Sequence, residues 1–218
     1  MSDFSAVIFR FLRAATSTTL AIVARVVTGV RPLWLGTTPS ERQRVYFANH
    51  ASHGDFILLT ACLPPRERLR TRAVAAADYW GKTKLRRFIS QDMLSSVLIE
   101  RSSAERKVDP LAVMLKVLDQ GDSLIIFPEG TRNMSEERLL PFKSGLYNLA
   151  MARPGIELVP CWIENMSRVL PKGEFLPVPL LCRVVFGAPI APETNEERAA
   201  FLLRAHDTLL KLDPRPER

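Results

Sequence analysis

The chain has 218 residues, 47% of them hydrophobic, which is long and apolar enough for a substantial core in a single domain. A formal net charge of +7 directs it toward something anionic: nucleic acid, acidic lipid headgroups or a phosphorylated substrate. Cys62, Cys161 and Cys182 are odd in number and scattered in apolar sequence, so they read as reduced core thiols in a reducing compartment, and no repeat or low-complexity tract is present.

The first element spans residues 4–35. At helical spacing Phe4, Val7, Ile8, Phe11, Leu12, Ala15, Ile22 and Val26 share one broad face, with Arg10 and Arg13 off it. The longest uncharged run, Ala14 to Ala24, is about eleven residues, short of the roughly 18 a spanning helix needs, and no clean cleavage pattern marks a signal peptide. The expectation is an apolar-faced helix, or a pair broken near Thr16 to Thr19, lying in a membrane interface and docked on the core. An ordinary packing helix and a weak transmembrane segment tolerating Arg25 are the alternatives.

Residues 44–48 (Arg-Val-Tyr-Phe-Ala) then read as a short buried strand and 56–63 as an apolar helix. Between them Asn49-His50-Ala51-Ser52-His53-Gly54-Asp55 forms a polar turn, which places His50 at a strand's C-terminal end, where open α/β sheets bind ligands. Asp55 falls at the helix start, where free N–H groups and the dipole favour a carboxylate. Five residues from His50 across a turn, it can accept the Nδ1 proton and leave Nε2 as a base. Read blandly, His50 is a turn histidine and Asp55 an N-cap. A metal at His50, His53 and Asp55 is the other alternative, although the only further histidine is His206, so such a site leans on carboxylates.

After Pro64-Pro65, residues 71–77 read as a strand. Lys82, Lys84, Arg86 and Arg87 follow in a short helix that is either a solvated face or a surface for an anionic partner. No nucleic-acid module signature accompanies these charges, and aromatics do not alternate with them. Residues 96–101 are an apolar strand ending in Glu100-Arg101, and a polar loop carrying Lys107 leads to a helix opened by Asp109 or Pro110 and closed by Gly121. Ser123 to Phe127 is another apolar strand, closed by Pro128-Glu129-Gly130-Thr131-Arg132-Asn133. Helices over 142–151 and 196–212 and strands over 157–163 and 184–186 complete the pattern; 171–179 is a surface connection and the tail from Asp213 looks loose. Such alternation argues a sheet covered by helices. Three strands that end in functional groups suggest one shared rim.

These segments, taken in order, resemble the glycerolipid acyltransferase family, which includes 1-acyl-glycerol-3-phosphate acyltransferase. Asn49, His50 and Asp55 meet its Asn-His-x4-Asp motif. Glu100-Arg101 is similar to its acid-Arg motif, with Glu where Asp is usual. Phe127 to Arg132 match Phe-Pro-Glu-Gly-Thr-Arg letter for letter, Phe142-Lys143-Ser144-Gly145 resembles Phe-Lys-x-Gly, and Val159-Pro160 looks like its Val-Pro before an apolar strand. The resemblance runs from about residue 44 to 190 and implies an α/β fold, a mixed, largely parallel central sheet covered by helices. Residues 1–36 would form the N-terminal amphipathic membrane-associating segment and 37–218 the acyltransferase domain.

The activity it implies is transfer of a fatty acyl group from acyl-CoA or acyl-carrier protein to the free hydroxyl of lysophosphatidic acid, giving phosphatidic acid. His50 would be the base oriented by Asp55, two-thirds of a Ser-His-Asp arrangement with the acceptor's hydroxyl in the serine's place, so no acyl-enzyme is expected. Ser52 and Ser144 lack a nucleophile-elbow setting. Backbone N–H groups near Gly130 or Gly54 are the candidate oxyanion donors. Arg101 and Arg132 are expected to hold the phosphate, with Lys107 and Lys143 behind them, unless each arginine instead pairs with Glu100 or Glu129. Glu129 either positions the alcohol or binds backbone N–H groups. Asn49, Phe127, Pro128, Thr131 and Pro160 support the motifs or shape the acyl pocket. The basic helix over 82–87 would meet anionic lipid or the phosphates of coenzyme A. No metal or cofactor beyond the acyl donor is expected, and no nucleic acid; the partners are a membrane surface with anionic lipids and a lysophospholipid acceptor. The location expected is the cytoplasmic face of a membrane, the bacterial inner membrane, peripheral or monotopic. Acylation of another lipid alcohol and a non-catalytic lipid-binding protein of the same fold are the rival readings.

Overall fold

The computed structural model describes residues 3–76, 96–99, 109–164 and 181–215. The basic stretch 82–87, Glu100, Arg101, Lys107, the 171–179 connection and the last residues of the tail lie outside the described residues. The strands are β1 (Arg31–Trp34), β2 (Arg44–Ala48), β3 (Thr71–Ala76), β4 (Val97–Ile99), β5 (Ser123–Ile126), β6 (Glu157–Glu164) and β7 (Arg183–Phe186). The helices are α1 (Asp3–Thr28), α2 (Asp55–Cys62), α3 (Pro65–Leu69), α4 (Pro110–Asp119), α5 (Gly145–Ala152) and α6 (Arg198–Leu210).

The strands form one sheet in the order β1-β7-β6-β2-β5-β3-β4, parallel at every pairing except β6 with β7. All five residues of β2 are buried, as a strand covered on both faces requires. Its side chains alternate between two cores. Tyr46 and Ala48 pack with α1 and α2, while Val45 and Phe47 pack with α4, α5 and α6. All three cysteines are free and buried in the first of these cores. Burial pushes the Cys62 thiol up to about 12 and that of Cys182 to about 11, so both stay protonated and inert at neutral pH.

Of the single helix and the broken pair expected at the N-terminus the single helix forms, and two other expectations need correction. Residues 3–28 form one unbroken helix, with no interruption at Thr16 to Thr19. Ser17 Oγ and Thr18 Oγ1 instead accept hydrogen bonds from the buried Arg68 guanidinium (3.2 and 3.4 Å), so these hydroxyls dock the helix rather than compete with its backbone. Residues 31–34, read as part of the helical segment, are a sheet strand paired with β7. Gly29 at φ +57° ends α1, and Pro32 is tolerated because β1 has a neighbour on one side only. The tail is not loose where it begins: the Asp213 side chain is fully buried against Arg138 and Arg215.

Parallel pairing brings the C-terminal ends of β2, β5, β3, β4 and β6 to one edge of the sheet. From β2 the chain turns into α2 on the first face; from its neighbour β5 it continues to α5 on the second. Adjacent strands whose connections leave to opposite faces make a crevice at their C-terminal ends. Both polar turns singled out in the sequence line it.

Candidate active site at the crevice between β2 and β5

Asp55 is the first residue of α2 and its side chain is 1% exposed. Its Oδ2 accepts the N–H groups of Ala51 (2.7 Å) and Ser52 (2.8 Å) and lies 2.9 Å from His50 Nδ1. An oxygen already accepting two amide protons is an acceptor for the ring as well, so Nδ1 carries the hydrogen and Nε2 keeps its lone pair. The imidazole stacks on Phe127, centroids 4.2 Å apart and 18° between planes. Carboxylate at one edge and phenyl on one face together fix the ring.

The backbone of His50 is held as firmly. Its N–H donates to Glu129 Oε1 (2.7 Å), and its carbonyl accepts from Asn133 N–H (2.6 Å). Glu129 is 2% exposed, and its Oε2 accepts from Leu140 N–H (3.0 Å). Of the two expected roles for Glu129, binding backbone N–H groups is the one the contacts show. Burial raises the Glu129 carboxyl above its ordinary range, against the pull of the His50 and Leu140 amides.

Asn49 extends the β2–β6 pairing with its side chain. Nδ2 donates to Ile163 carbonyl (3.0 Å), and Oδ1 accepts Ile163 N–H (2.7 Å). Sequence reading gave Asn49 no such job, because its partner lies 114 positions away. Pro160 sits buried inside β6, opposite Phe47 of β2, and its carbonyl accepts Gly187 N–H (2.9 Å).

The two glycines at the candidate oxyanion positions each use their own N–H within a turn. Gly130 N–H donates to Phe127 carbonyl (3.0 Å), closing a tight turn, and Gly54 N–H donates to Ser52 Oγ (3.3 Å). Gly130 is required for another reason: its φ is +69°, and a Cβ there would meet the Lys143 chain at 2.8 Å. Lys143 therefore lies across the turn, tied by its own N–H to Pro128 carbonyl (2.9 Å). The following helix starts at Gly145 rather than Phe142. Among the described residues no ion pair joins Arg132 to Glu129, whose carboxylate oxygens instead accept the His50 and Leu140 amides. Thr131 is exposed and Arg132 half-buried on the same turn, and Pro128 is buried beneath it. Among the described residues no three His, Cys, Asp or Glu side chains gather as metal ligands.

The fold and the sequence each have known relatives. The crystal structure of the 1-acyl-sn-glycerophosphate (LPA) acyltransferase PlsC from Thermotoga maritima superposes with a TM-score of 0.73 at 19% identity, covering 100% of this chain and 86% of that one. A chloroplastic 1-acyl-sn-glycerol-3-phosphate acyltransferase of Brassica napus is 32% identical over 134 residues, 62% of this chain and 36% of that protein. A 1-acyl-sn-glycerol-3-phosphate acyltransferase of Limnanthes alba is 26% identical over 179 residues, 81% of this chain and 61% of that protein. The chain thus spans between about one third and three fifths of the length of these two curated relatives. A model of the Acyltransferase family matches residues 35–164, from the residue after β1 to the last residue of β6, so the whole His50–Asp55–Glu129 arrangement falls inside it and the chain belongs to that family.

Proposed function

We propose that the chain transfers a fatty acyl group from an acyl-CoA or acyl-carrier-protein thioester to the free hydroxyl of lysophosphatidic acid, releasing phosphatidic acid and the thiol. The reading is supported by the names of its relatives and carried by one observation, the His50 ring held by Asp55 at the mouth of the crevice with Nε2 as its basic nitrogen. His50 Nε2 takes the proton of the acceptor hydroxyl as that oxygen attacks the thioester carbonyl. Collapse of the tetrahedral intermediate breaks the C–S bond, and the imidazolium returns the proton to the leaving thiolate. Asp55 holds the tautomer and stabilises the imidazolium, and transfer is direct, with no acyl-enzyme.

Glu129 and Gly130 act through geometry in this scheme: Glu129 fixes the His50 peptide, and Gly130 lets the turn pass beneath Lys143. Arg132 and Lys143 serve the acceptor phosphate from the Phe127–Arg132 turn, with Arg101 and Lys107 assigned to the same anion by motif resemblance. The exposed apolar side of α1 meets a membrane surface with anionic lipids, from which acceptor and product partition, so the chain works as a peripheral or monotopic protein at the cytoplasmic face. Purified protein assayed with radiolabelled acyl-CoA and lysophosphatidic acid tests the reading. His50→Ala is expected to lower turnover by about 10²–10⁴-fold, the usual worth of a positioned base. Undiminished turnover in that variant eliminates the mechanism, and no turnover by the wild-type chain with any lyso-lipid acceptor favours a binding protein.

A further inference from the structure

The loop over residues 133–140 is tied to His50 directly at one end and through Glu129 at the other. At its start Asn133 N–H donates to His50 carbonyl; at its end Leu140 N–H donates to Glu129, whose other oxygen receives His50 N–H. Residues 134–137 between these points are exposed, and the short-range bonds around Asn133 and Ser135 only shape the loop on itself. Its attachment to the body is at Arg138 and Leu139. Arg138 Nε and Nη2 donate to Asp213 Oδ2 (2.8 and 2.7 Å), while Leu139 is buried with its carbonyl 3.4 Å from His206 Nε2 on α6. Asp213 is anchored in turn by its own strand of chain. Arg215 N–H and guanidinium donate to both of its oxygens (2.7–3.1 Å), and Arg138 Nη2 also reaches the Arg215 carbonyl (2.8 Å).

We propose that Asp213 is a positioning residue for His50: through Arg138 it latches the 133–140 loop, and the loop sets the His50 peptide through Asn133 and the Leu140–Glu129 bridge. This rests on the reading of His50 as the base. A buried carboxylate is tolerable only while it is paired, so the latch has one stable arrangement rather than a range of them. Burial opposes ionisation of Asp213, but the hydrogen bonds from Arg215 and Arg138 outweigh it and hold the carboxyl below its usual value, so the latch is charged throughout the neutral range. Displacing a base by even a fraction of an ångström is felt in the chemical step while substrate binding is spared.

The test compares kcat and KM of the full chain with radiolabelled acyl-CoA and lysophosphatidic acid for Asp213→Asn, Arg138→Gln, Glu129→Gln, the Asp213→Asn/Glu129→Gln double variant and His50→Ala. Thermal melts identify which variants fold. Asp213→Asn and Arg138→Gln are expected to lose about tenfold to a hundredfold in kcat with KM changed less than about twofold. In the Glu129→Gln background the further substitution of Asp213 should cost almost nothing, because two residues acting through one bridge are not additive. Asp213→Glu and Arg138→Lys, which keep the pair, should recover most of the loss. Since Arg138 is partly exposed, Arg138→Gln decides the matter if Asp213→Asn does not fold. Wild-type kcat in a folded latch variant, a loss confined to KM, or full additivity with Glu129→Gln overturns the proposal. If these occur while His50→Ala is inactive, only the latch is wrong; if His50→Ala turns over normally, the base and the latch fall together.

Discussion

Asn49 holds the point where the chain must stop being a strand. β2 is in register with β6 up to Ala48 and Cys161, and one residue later the backbone has to lift away so that His50 can reach the rim. The Asn49 carboxamide supplies the donor and acceptor that the departing backbone no longer offers to Ile163. Asn49→Ala leaves both Ile163 groups without that partner and is expected to cost about 1–3 kcal/mol in urea unfolding, with turnover reduced as well. Asn49→Asp keeps the acceptor but sets a carboxylate against the Ile163 carbonyl, and should be no better. Wild-type unfolding midpoints for both would show that the bridge carries no weight. The His50–Asp55 contact was legible beforehand because its partners sit five residues apart across one turn. The braces from Glu129 and Ile163 were not, because they join positions 79 and 114 apart and only the folded sheet brings them together.

Among the elements, α1 shows what periodicity leaves open, namely which side of a helix docks. Its apolar stripe was expected both to meet lipid and to pack on the core. At about 100° per residue, Arg13, Ser17, Ala21, Ala24 and Thr28 share the side that faces the body, and of these Ala21, Ala24 and Thr28 are buried. Small residues allow the close approach, and two arginines secure it. Arg25 Nε and Nη2 donate to the Ala61 carbonyl in the last turn of α2 (3.0 and 2.6 Å), and Arg13 Nη2 donates to Leu69 carbonyl at the end of α3 (2.8 Å). Helix C-terminal carbonyls carry partial negative charge, so these guanidinium groups need no carboxylate. The opposite side is left bare: Val7, Ile8, Phe11, Leu12, Ile22, Val23 and Val26 are exposed, Phe11 at 72% and Val26 at 79%. The window from Phe11 to Thr28 is also long and apolar enough, by length and composition, to cross a membrane, although Arg13 and Arg25 are engaged with the body. The Phe11→Asp/Val26→Asp variant should sediment with phosphatidylglycerol vesicles at least about tenfold less than wild type, since each burial is worth roughly 1.5–3 kcal/mol. Equal sedimentation would mean that this side does not meet lipid. Periodicity located the helix and its stripe correctly. It could not say that the stripe faces outward, because an apolar face reads the same whether lipid or protein covers it. β1 was lost for a related reason, being four residues of mixed polarity that pair with a strand about 150 positions later.

At the scale of the whole molecule, buried carboxylates set how the fold responds to pH. Glu67, Glu129 and Glu164 all have carboxyls raised by burial. Tyr46 pulls Glu67 back through its hydroxyl, the His50 and Leu140 amides do so for Glu129, and Arg183 does so for Glu164. A carboxyl raised in the fold binds its proton more tightly there than in the unfolded chain. Its contribution is therefore fully present below the unfolded value of about 4.3 and is lost as pH rises through the folded value. Asp213, Glu157 and Glu196 work the other way. Burial opposes the charge on Asp213 and Glu157 but hydrogen bonds from Arg215 and Arg138, and from Arg44 and Arg42, prevail; at Glu196 the bond to Arg204 dominates outright. Their stabilisation is present above the unfolded values and lost as pH falls through the depressed folded ones. The two sets bracket an interval, so stability should peak at mildly acidic pH and decline toward neutrality as well as toward strong acid. Urea unfolding across about pH 3 to 8 measures this, and Glu67→Gln should flatten the neutral side of the curve, since it removes one raised group while retaining an acceptor for the Tyr46 hydroxyl. Turnover should follow a different curve: as Glu129 gains its proton, one oxygen that serves a backbone amide becomes a hydroxyl, and the hold on His50 loosens. Stability rising while activity falls over the same mildly acidic interval is the expected signature, and the two curves moving together would refute it.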